Sequence, residues 1–434
     1  MSNGASPSPD MLKAQSGARL RFYSVWLIAA IALVVLPLIF ASGGSLTLFS
    51  LIGIAIVFAL SYNILLGQTG LLSFGHAVHY GLGGFMAVHV MNAVANHGWP
   101  IPLPFIPLFG GVGGLAFAIV FGWVMTRRAG TVFAMISLGI GELVASSSLI
   151  LRSVFGGESG ITTDRTALPH MFGWTFGPQR QVYYLIAFWL MVSALAMYGL
   201  TRTPLGRICN AVRDNPERAE FIGYNPHLVR YLAYGFAGFF AGVAGGLSAI
   251  NFEIANSAYL GATQSGLVLF AAFIGGTAYF FGPILGAILV TYLQLELTNI
   301  TTVWQLYFGV IFIGVVALAP GGLAGILMAH RPLIRARSLA MVIPSYLVAA
   351  LPTLALALGV ILAIETVARY TASEGESNVI NLLGVPFDAT APRTWVVAVA
   401  LGVGGFLIAR VTWRRVAEAW DRAATIARDR GYLA

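Results

Sequence analysis

Residues 263–298 read TQSGLVLFAAFIGGTAYFFGPILGAILVTYLQLELT. The stretch is almost uniformly apolar, with Gln264, Gln294 and Glu296 near its ends. It is too long for one crossing, because a helix needs about 20 residues to span roughly 30 Å of hydrocarbon. Gly275-Gly276 and Gly282-Pro283 are natural break points. The stretch therefore divides into two short spans meeting near Phe281. That division fixes which side of a bilayer every later segment occupies.

Working outward, the other candidate spans are Phe22–Phe40, Leu46–Leu66, Phe74–Ala95, Leu103–Met125, Thr131–Leu151, Val182–Leu200 and Leu228–Ile250. Trp304–Met328, Leu339–Thr366 and Trp395–Ala409 follow. The total is about twelve by the length criterion. Composition agrees: 58% of the 434 residues are hydrophobic and 9% charged, against roughly 25% charged in a soluble domain. Too few charges remain to cover a water-facing surface. The fold class expected is all-α, a polytopic transmembrane helical bundle. The block after Arg19 and Arg21 ends in no small-residue cleavage pattern, so it reads as an uncleaved first span.

A net charge of +8 could suggest nucleic acid, but the basic residues sit in short runs between apolar blocks. There they act as orientation signals. With the N-terminus in the cytoplasm and residues 263–298 divided, 19 of the 24 basic residues fall on the cytoplasmic side. Arg152, Arg165, Arg180, Arg369 and Arg393 remain outside. Both termini are then cytoplasmic. The tail from Thr412 to Arg430 mixes Arg with Glu, Asp and Ala, and suits either an amphipathic surface helix or a plain solvated one. Cys209, alone, cannot form an internal disulfide.

The inside loop is the most informative segment. With the first residues of the next span it reads TRTPLGRICNAVRDNPERAEFIGYNPHLVR, residues 201–230. Pro204 can start a helix. Ile208, Ala211 and Val212 can share a helical face. Asn215-Pro216 breaks the run, and Gly223 is placed to end a second short helix. The loop is either a solvated linker or a docking element.

This loop, from Gly206-Arg207 through Ala211, Arg213, Asp214 and Asn215 to Ala219, Gly223 and Asn225, resembles the coupling segment of permease subunits in the branched-chain amino acid ABC importer family, in its LivM-like branch. Further matches follow in the family's order: Gly70–Ala87, Ala237–Ala249, Phe273–Ala287 and Ala319–Leu323. The resemblance implies a permease domain over residues 22–330, after a cytoplasmic tail 1–21. It stops near Leu327 and leaves residues 331–434 as a C-terminal extension with two candidate spans. It also implies an inner-membrane importer with a second, LivH-like permease subunit, two cytoplasmic ATP-binding subunits and a periplasmic binding protein. Gly206–Asn225 would dock an ATP-binding subunit. The chain itself has no phosphate-binding G-x-x-x-x-G-K-[ST] loop, and its only lysine is Lys13. It is not expected to be an enzyme or to hold a cofactor.

Path residues are less sharply marked. Glycines 67, 70, 75, 81, 83 and 84 crowd around Ser73 and His76. Glycine here serves either close helix packing or a broken helix that presents backbone groups to a substrate. The same two readings apply to Gly275, Gly276, Gly282 and Gly286. His76 and His79 lie at i, i+3 but lack partner ligands, so an interhelical hydrogen bond is expected rather than a metal. Glu142 lies deep in a span, where a carboxylate must face a cavity, be paired or be protonated. Glu365 and Glu296 lie nearer span ends and can reach toward water. Gly160, Thr162, Thr163 and Asp164 fall in the large outer loop, where the resemblance implies binding-protein docking or gating. Ser73, Gly75, His76, Glu142, Gly275 and Gly276 are therefore the candidate path residues. Alternative functions are import of urea or short amides, ion-coupled secondary transport, and a non-transporting scaffold.

Overall fold

The computed structural model describes residues 9–171, 173–371, 379–382 and 385–433. Residues 1–8 of the expected N-terminal tail and 372–378 of the last outer loop lie outside the described residues. The helices run α1 (Pro9–Ile39), α2 (Gly43–Thr69), α3 (Ala77–His97), α4 (Ile106–Met125), α5 (Gly130–Ile150), the single turn α6 (Arg152–Phe155) and α7 (Gln179–Arg202). Then come α8 (Pro204–Asp214), α9 (Pro216–Phe221), α10 (Pro226–Phe252), α11 (Ala262–Gly275), α12 (Gly282–Ile300), α13 (Trp304–Leu318) and α14 (Gly322–Arg335). The last are α15 (Ile343–Thr371) and α16 (Pro392–Asp429). Strands are confined to two antiparallel pairs: β1 (Ile161–Thr162) with β2 (Ile254–Ala255), and β3 (Val379–Leu382) with β4 (Val385–Asp388).

Among the described residues nine helices are long and apolar enough to cross a membrane. Two shorter apolar helices, Tyr23–Ile39 and Ala262–Gly275, accompany them. The protein is thus an all-α, multi-pass membrane protein. Three details differ from the spans expected. Helix α3 is not among the nine, because His79, His89, Asn92, Asn96 and His97 make it too polar. The span expected at Trp304–Met328 is among the nine as Trp304–Arg335, but its helix is broken after Leu318, where Pro320 cannot donate and Gly322 turns with φ +62°. Helix α16 runs unbroken from its apolar half through the charged tail.

The chain divides into two units, residues 1–324 and 325–434. In the first, helix contacts are made backbone to backbone through glycine. A Cβ on Gly83 would overlap Gly242, and one on Gly245 would overlap the Tyr80 carbonyl. Gly238 against His79, Gly83 against Gly242 and Gly84 against Gly245 ascend together, so α3 and α10 are parallel. Gly110 meets Gly242, and Gly114 meets Gly238, so α4 runs antiparallel to α10. Between α11 and α12, Gly275 meets Gly282 and Gly286 meets the Ala271 carbonyl. The turn at 319–322 seats on this hairpin, Gly276 against Gly321 and Gly322 against Gly276. Lipid tails are as apolar as leucine, so such close van der Waals contact, rather than exclusion of water, holds helices together.

The second unit is a helical hairpin with its own small cores. Gly359 packs against Gly402, and Gly405 against Leu356. Leu333, Val342 and Ala423 form one cluster, flanked by Tyr346 and Trp420. The charged half of α16 therefore buries Val416, Ala419, Ala423 and Ala427 against its own unit. Glu365, expected to reach for water, lies 3.9 Å from Arg369 one turn on.

Enlarging a glycine at a backbone seam should be far costlier than at an open site. Overpacking costs about 1–3 kcal/mol even where side chains can yield, and here the obstructing atoms are backbone. Gly245→Val and Gly286→Val are expected to lose most folded protein, while Gly139→Ala, with nothing within 4 Å of its Cβ, keeps it. Detergent-solubilised yield and thermal unfolding of the three variants read this directly.

Candidate functional site

The first unit contains a buried break between α2, one of its two most enclosed helices, and α3. Helix α2 ends with Gly70 at φ +70°, whose N–H donates to the Leu66 carbonyl, while the Leu71 N–H donates to Leu65. That cap satisfies two terminal carbonyls. The chain then turns back into the bundle without helix until Ala77. Tyr62 Oη donates to the Ser73 carbonyl at 3.0 Å, and Ser61 Oγ lies 3.0 Å from His76 Nε2. Ser61 stands eight residues before the end of α2, so His76 lies about 12 Å inside the bundle at 1.5 Å per residue. Irregular backbone at such depth persists only when enclosed by protein or water. Here it is enclosed: Leu71, Ser73, Gly75 and His76 are buried. The Phe74 N–H donates to Ser137 Oγ at 3.0 Å, the Ala77 N–H to Ser265 Oγ at 3.0 Å, and Gly75 lies against Ser137 and Gly141 of α5.

His76 stacks on Phe58 at 5.5 Å, and His79 approaches the His76 carbonyl through Nδ1 at 3.2 Å. The His76 ring thus bonds across to α2, while His79 bonds back within the first turn of its own helix. Among the described residues no three His, Cys, Asp or Glu side chains converge to hold a metal. Ser73 and His76 line no part of the cleft beside them, whose mostly apolar walls carry a few polar groups. That cleft has a volume of about 340 Å³ and lies between α2, α10, α11 and α12. Phe58 and Tyr80 are among its lining residues, as are Tyr259, Gln264, Gln294 and Asn299. Sequence reading missed it, although Thr291, Gln294 and Thr298 mark one face of α12 at helical spacing. A second hollow, about 440 Å³ between α4 and α10, is lined almost wholly by apolar side chains such as Leu115, Phe236 and Phe239. It offers little to orient a polar solute.

The ends of the bundle differ in chemistry. At one end α8 and α9 lie across the terminus of α2. Thr203 caps α8, with Pro204 in its first turn, and Asn215 Oδ1 accepts from Arg218 N at 2.8 Å to cap α9. Gly223, at φ +93°, ends the second helix as expected. The inward face of α8 is Gly206, Cys209 and Val212; Ala211, expected to share it, is exposed. Gly206 is buried against Leu200 and Thr201, and Ala219 is also buried. Arg213 bridges to α2: its stem packs on Gly70, its Nη1 donates to the Gly67 carbonyl, and its Nε donates to Asp214 at 3.0 Å. Asn210 donates to Gln68 at 3.1 Å. Arg207, Asp214 and Arg218 stay exposed. So do two large apolar side chains, Phe221 at 91% and Ile222 at 66%.

At the other end the loop after α5 is pinned by Arg165, a residue sequence reading had only counted among charges. Its guanidinium donates to the carbonyls of Phe176 (2.8 Å), Gly177 (3.1 Å), Ile250 (3.2 Å) and Asn251 (3.2 Å), and Glu253 lies 3.8 Å away. Asp164 accepts from the Thr166 hydroxyl and N–H, which holds its carboxyl below the usual carboxylate range. Thr163 N–H donates to the Glu253 carbonyl, and Gly160 sits against Ala255 and Asn256. Thr162 pairs with Ile254 in the short β1–β2 ladder.

Gly275 and Gly276 belong to the α11–α12 seam, where Cβ atoms would meet backbone. Their turn reaches the α8 end, since a Cβ on Gly67 would come 2.8 Å from the Thr277 carbonyl. Glu142 stands apart from the other candidates: it is exposed on the outer face of α5, next to the Gly141 that packs on Gly75.

A bundle of apolar helices with one broken buried segment, a cleft with a few polar groups and a structured loop at one end suits a membrane permease. The family model described as the permease component of branched-chain amino acid transport systems matches residues 44–320, and the chain belongs to that family. The high-affinity branched-chain amino acid transport system permease protein LivM of Escherichia coli K12 is 28% identical over 287 residues, 61% of this chain and 66% of its own length. BraD of Pseudomonas aeruginosa is 24% identical over 247 residues, and LivH of E. coli K12 25% over 250, each covering 54% of this chain and 78% of the relative. The chain thus spans just under two thirds of LivM. No solved structure matches it.

Arg165→Lys should not rescue Arg165→Ala, because a lysine lacks the planar fork that reaches several carbonyls. Each charged hydrogen bond lost is worth about 1.5–3 kcal/mol, so both variants are expected to expose residues 152–178 to limited proteolysis well before the parent. A separate expectation concerns Cys209. Burial raises its thiol to about 11, and only the thiolate reacts. Maleimide labelling in intact protein should therefore be slow at neutral pH and rise only as pH approaches that value; rapid labelling at pH 7 would contradict the packing of α8.

Proposed function

We propose that this chain is a LivM-like permease subunit of an ATP-driven importer of branched-chain amino acids in a bacterial inner membrane. It works with a second, LivH-like permease, two cytoplasmic ATP-binding subunits and a periplasmic substrate-binding protein. Both termini and the α8–α9 element face the cytoplasm. The single observation carrying this reading is the α8–α9 element itself. It presents Arg207, Arg218, Phe221 and Ile222 outward, while Arg213 ties it to Gly67 and Gly70 at the start of the buried break.

In this reading Gly206, Arg207, Ala211, Arg213, Asp214, Asn215, Ala219 and Gly223 form the ATPase-coupling surface. An exposed apolar tip among arginines suits docking to a protein better than hydration. Movement of α8 would pull on Gly70 and hence on Leu71–His76. Ser73, Gly75 and His76 then belong to the moving wall of the path. Gly275 and Gly276 form the hairpin that bears on it, and Glu142 is exposed at its side. The distribution of charge favours this orientation within the first unit: Arg127 lies over Trp123, Trp123 meets His227, and the α8–α9 arginines share that end. Residues 331–434 serve as an added membrane hairpin with a basic cytoplasmic collar.

The test is uptake by the importer reconstituted in vesicles with a labelled panel of leucine, isoleucine, valine, urea and short amides. ATP-dependent leucine, isoleucine or valine uptake supports the proposal. Urea uptake alone would redirect it to short amides, and uptake that persists without ATP-binding subunits but collapses with the ion gradient would sink it. Phe221→Asp and Arg213→Ala are expected to lower copurification of the ATP-binding subunits, with the permease still folded; unchanged copurification would remove the coupling assignment.

A further inference from the structure

Helix α16 changes character at one point without breaking. Its first half exposes Val396, Val399, Val403, Phe406 and Leu407. From Arg410 onward the exposed face is charged, while Ala409, Val416, Ala419, Ala423 and Ala427 stay buried on the other side. The change falls level with the start of α15, because the two helices run antiparallel: Gly359 meets Gly402, and Gly405 meets Leu356. The Trp413 ring lies 6.4 Å from that of Tyr346 in the first turn of α15, and its Nε1 donates to Thr353 Oγ1 at 3.1 Å. The apolar runs of both helices thus end at one level. A tryptophan and a tyrosine mark it, the residues that settle where hydrocarbon gives way to headgroups.

At that level stand Arg410 and Arg414. Their i, i+4 spacing puts them side by side on the outer face, with Cβ atoms about 5–6 Å apart. Both are exposed, and among the described residues neither makes an ion pair or a hydrogen bond. Other arginines of this unit are tied down. Arg422 donates to the Glu418 carbonyl at 3.2 Å, Arg430 donates to the Ala336 carbonyl, and Arg369 pairs with Glu365. Glu418 and Asp421 share the outer face but lie about one and two turns farther along the tail. Two like charges at i, i+4 repel. An anion between them would be held by both guanidinium forks, a geometry that suits a phosphate.

We infer that Arg410 and Arg414 clamp the phosphate of an anionic phospholipid, whose acyl chains lie along Phe406 and Leu407 and whose glycerol rests beside Trp413. Place and charge together select this occupant. An exposed apolar face leads up to the pair, so the ligand carries a long apolar part. Two cations without a counter-charge receive it, so its head is negative; clusters of arginine at the end of a span draw anionic headgroups in this way. A soluble anion makes no use of the Val403–Leu407 stripe, and an acidic protein segment would have to leave water to reach the level of Trp413. Phosphatidylcholine brings its own ammonium, which the two arginines repel. Arginines that only orient a span act by their number; this pair adds a fixed face and a fixed depth. The site belongs to residues 325–434 alone and holds whatever solute the first unit carries.

The experiment returns the full chain to vesicles of phosphatidylcholine and phosphatidylglycerol, with bimane on one introduced cysteine. Leu407→Cys reports on the clamp; Val399→Cys, about 12 Å deeper on the same helix at 1.5 Å per residue, is the control. Buried Cys209 stays in place. Bromine is carried on the acyl chains of one lipid or the other, at equal mole fraction, and quenching is read. Brominated phosphatidylglycerol is expected to quench Leu407→Cys several-fold more than brominated phosphatidylcholine does, and the two lipids to quench Val399→Cys alike. Arg410→Gln with Arg414→Gln should abolish the difference. Arg410→Lys with Arg414→Lys, which keeps the charges that set orientation but not the planar forks, should reduce it. Equal quenching of Leu407→Cys by the two lipids would overturn the clamp, and this comparison stands even where the glutamine pair does not fold. A preference that survives the glutamine pair, or one equally large at Val399→Cys, would overturn it too. Loss of the preference in millimolar inorganic phosphate would reassign the two arginines to a soluble anion and end the lipid reading.

Discussion

Everything in the first unit follows from one constraint: a peptide group that leaves a helix inside a bilayer must find its partners within the protein. An unpaired amide in hydrocarbon costs several kcal/mol. Residues 70–76 break the helical ladder beneath the middle of α2, and several of the freed backbone groups are answered within the protein. Ser137 and Ser265 accept from Phe74 and Ala77, Tyr62 donates to Ser73, and the Gly70 cap closes the end of α2. To deliver those partners, α2, α5 and α11 must converge on one segment. The helices that surround them must come closer than side chains allow, which is why the adjoining seams are made of glycine.

The two ends of the bundle use arginine for different purposes. Arg213 fastens a surface helix to the last turn of α2, so a load on the α8–α9 element is carried to the start of the break. Arg165 gathers carbonyls from the loop after α5 and from the last turn of α10, closing the opposite end into a shaped surface rather than a slack connection. The cleft lies between these ends, where α2, α10, α11 and α12 meet, with Phe58 and Tyr80 separating it from His76.

Much of this was legible in the sequence because apolar length and arginine placement are local signals. The division of residues 263–298 came from Gly275-Gly276 and Gly282-Pro283, and helices end and begin at Gly275 and Gly282. The α8–α9 pair was written in Pro204, Asn215-Pro216 and Gly223. What escaped was non-local. Nothing in the order of residues says that the Gly276 turn receives the Gly321-Gly322 turn, or that Arg165 meets the end of α10. The bend at Pro320 was visible but was overridden by apolar length. Glu142 was singled out by its cost in a span, yet its exposure on the outer face of α5 depends on packing that no periodicity encodes. The residues over which the family model matches end at 320, so the β3–β4 pair and the unbroken α16 had no template to announce them.

The glycine seams also limit how this molecule can move. Where Gly83 lies on Gly242 and Gly245 on the Tyr80 carbonyl, the two backbones interlock, and neither helix can roll or slide without a collision of main-chain atoms. Such a contact has a single register and no intermediate stops. Helices α3, α4 and α10 must therefore travel as one block. The hairpin of α11 and α12, with the 319–322 turn lodged against it, must travel as another. Freedom is left to the links between blocks, above all the seven residues from Gly70 to His76. Non-helical chain has no ladder of i to i+4 bonds to absorb displacement, and Ser73, held by Tyr62, ties the segment back to α2. The protein is a mechanism of few parts with a short, stiff connecting rod.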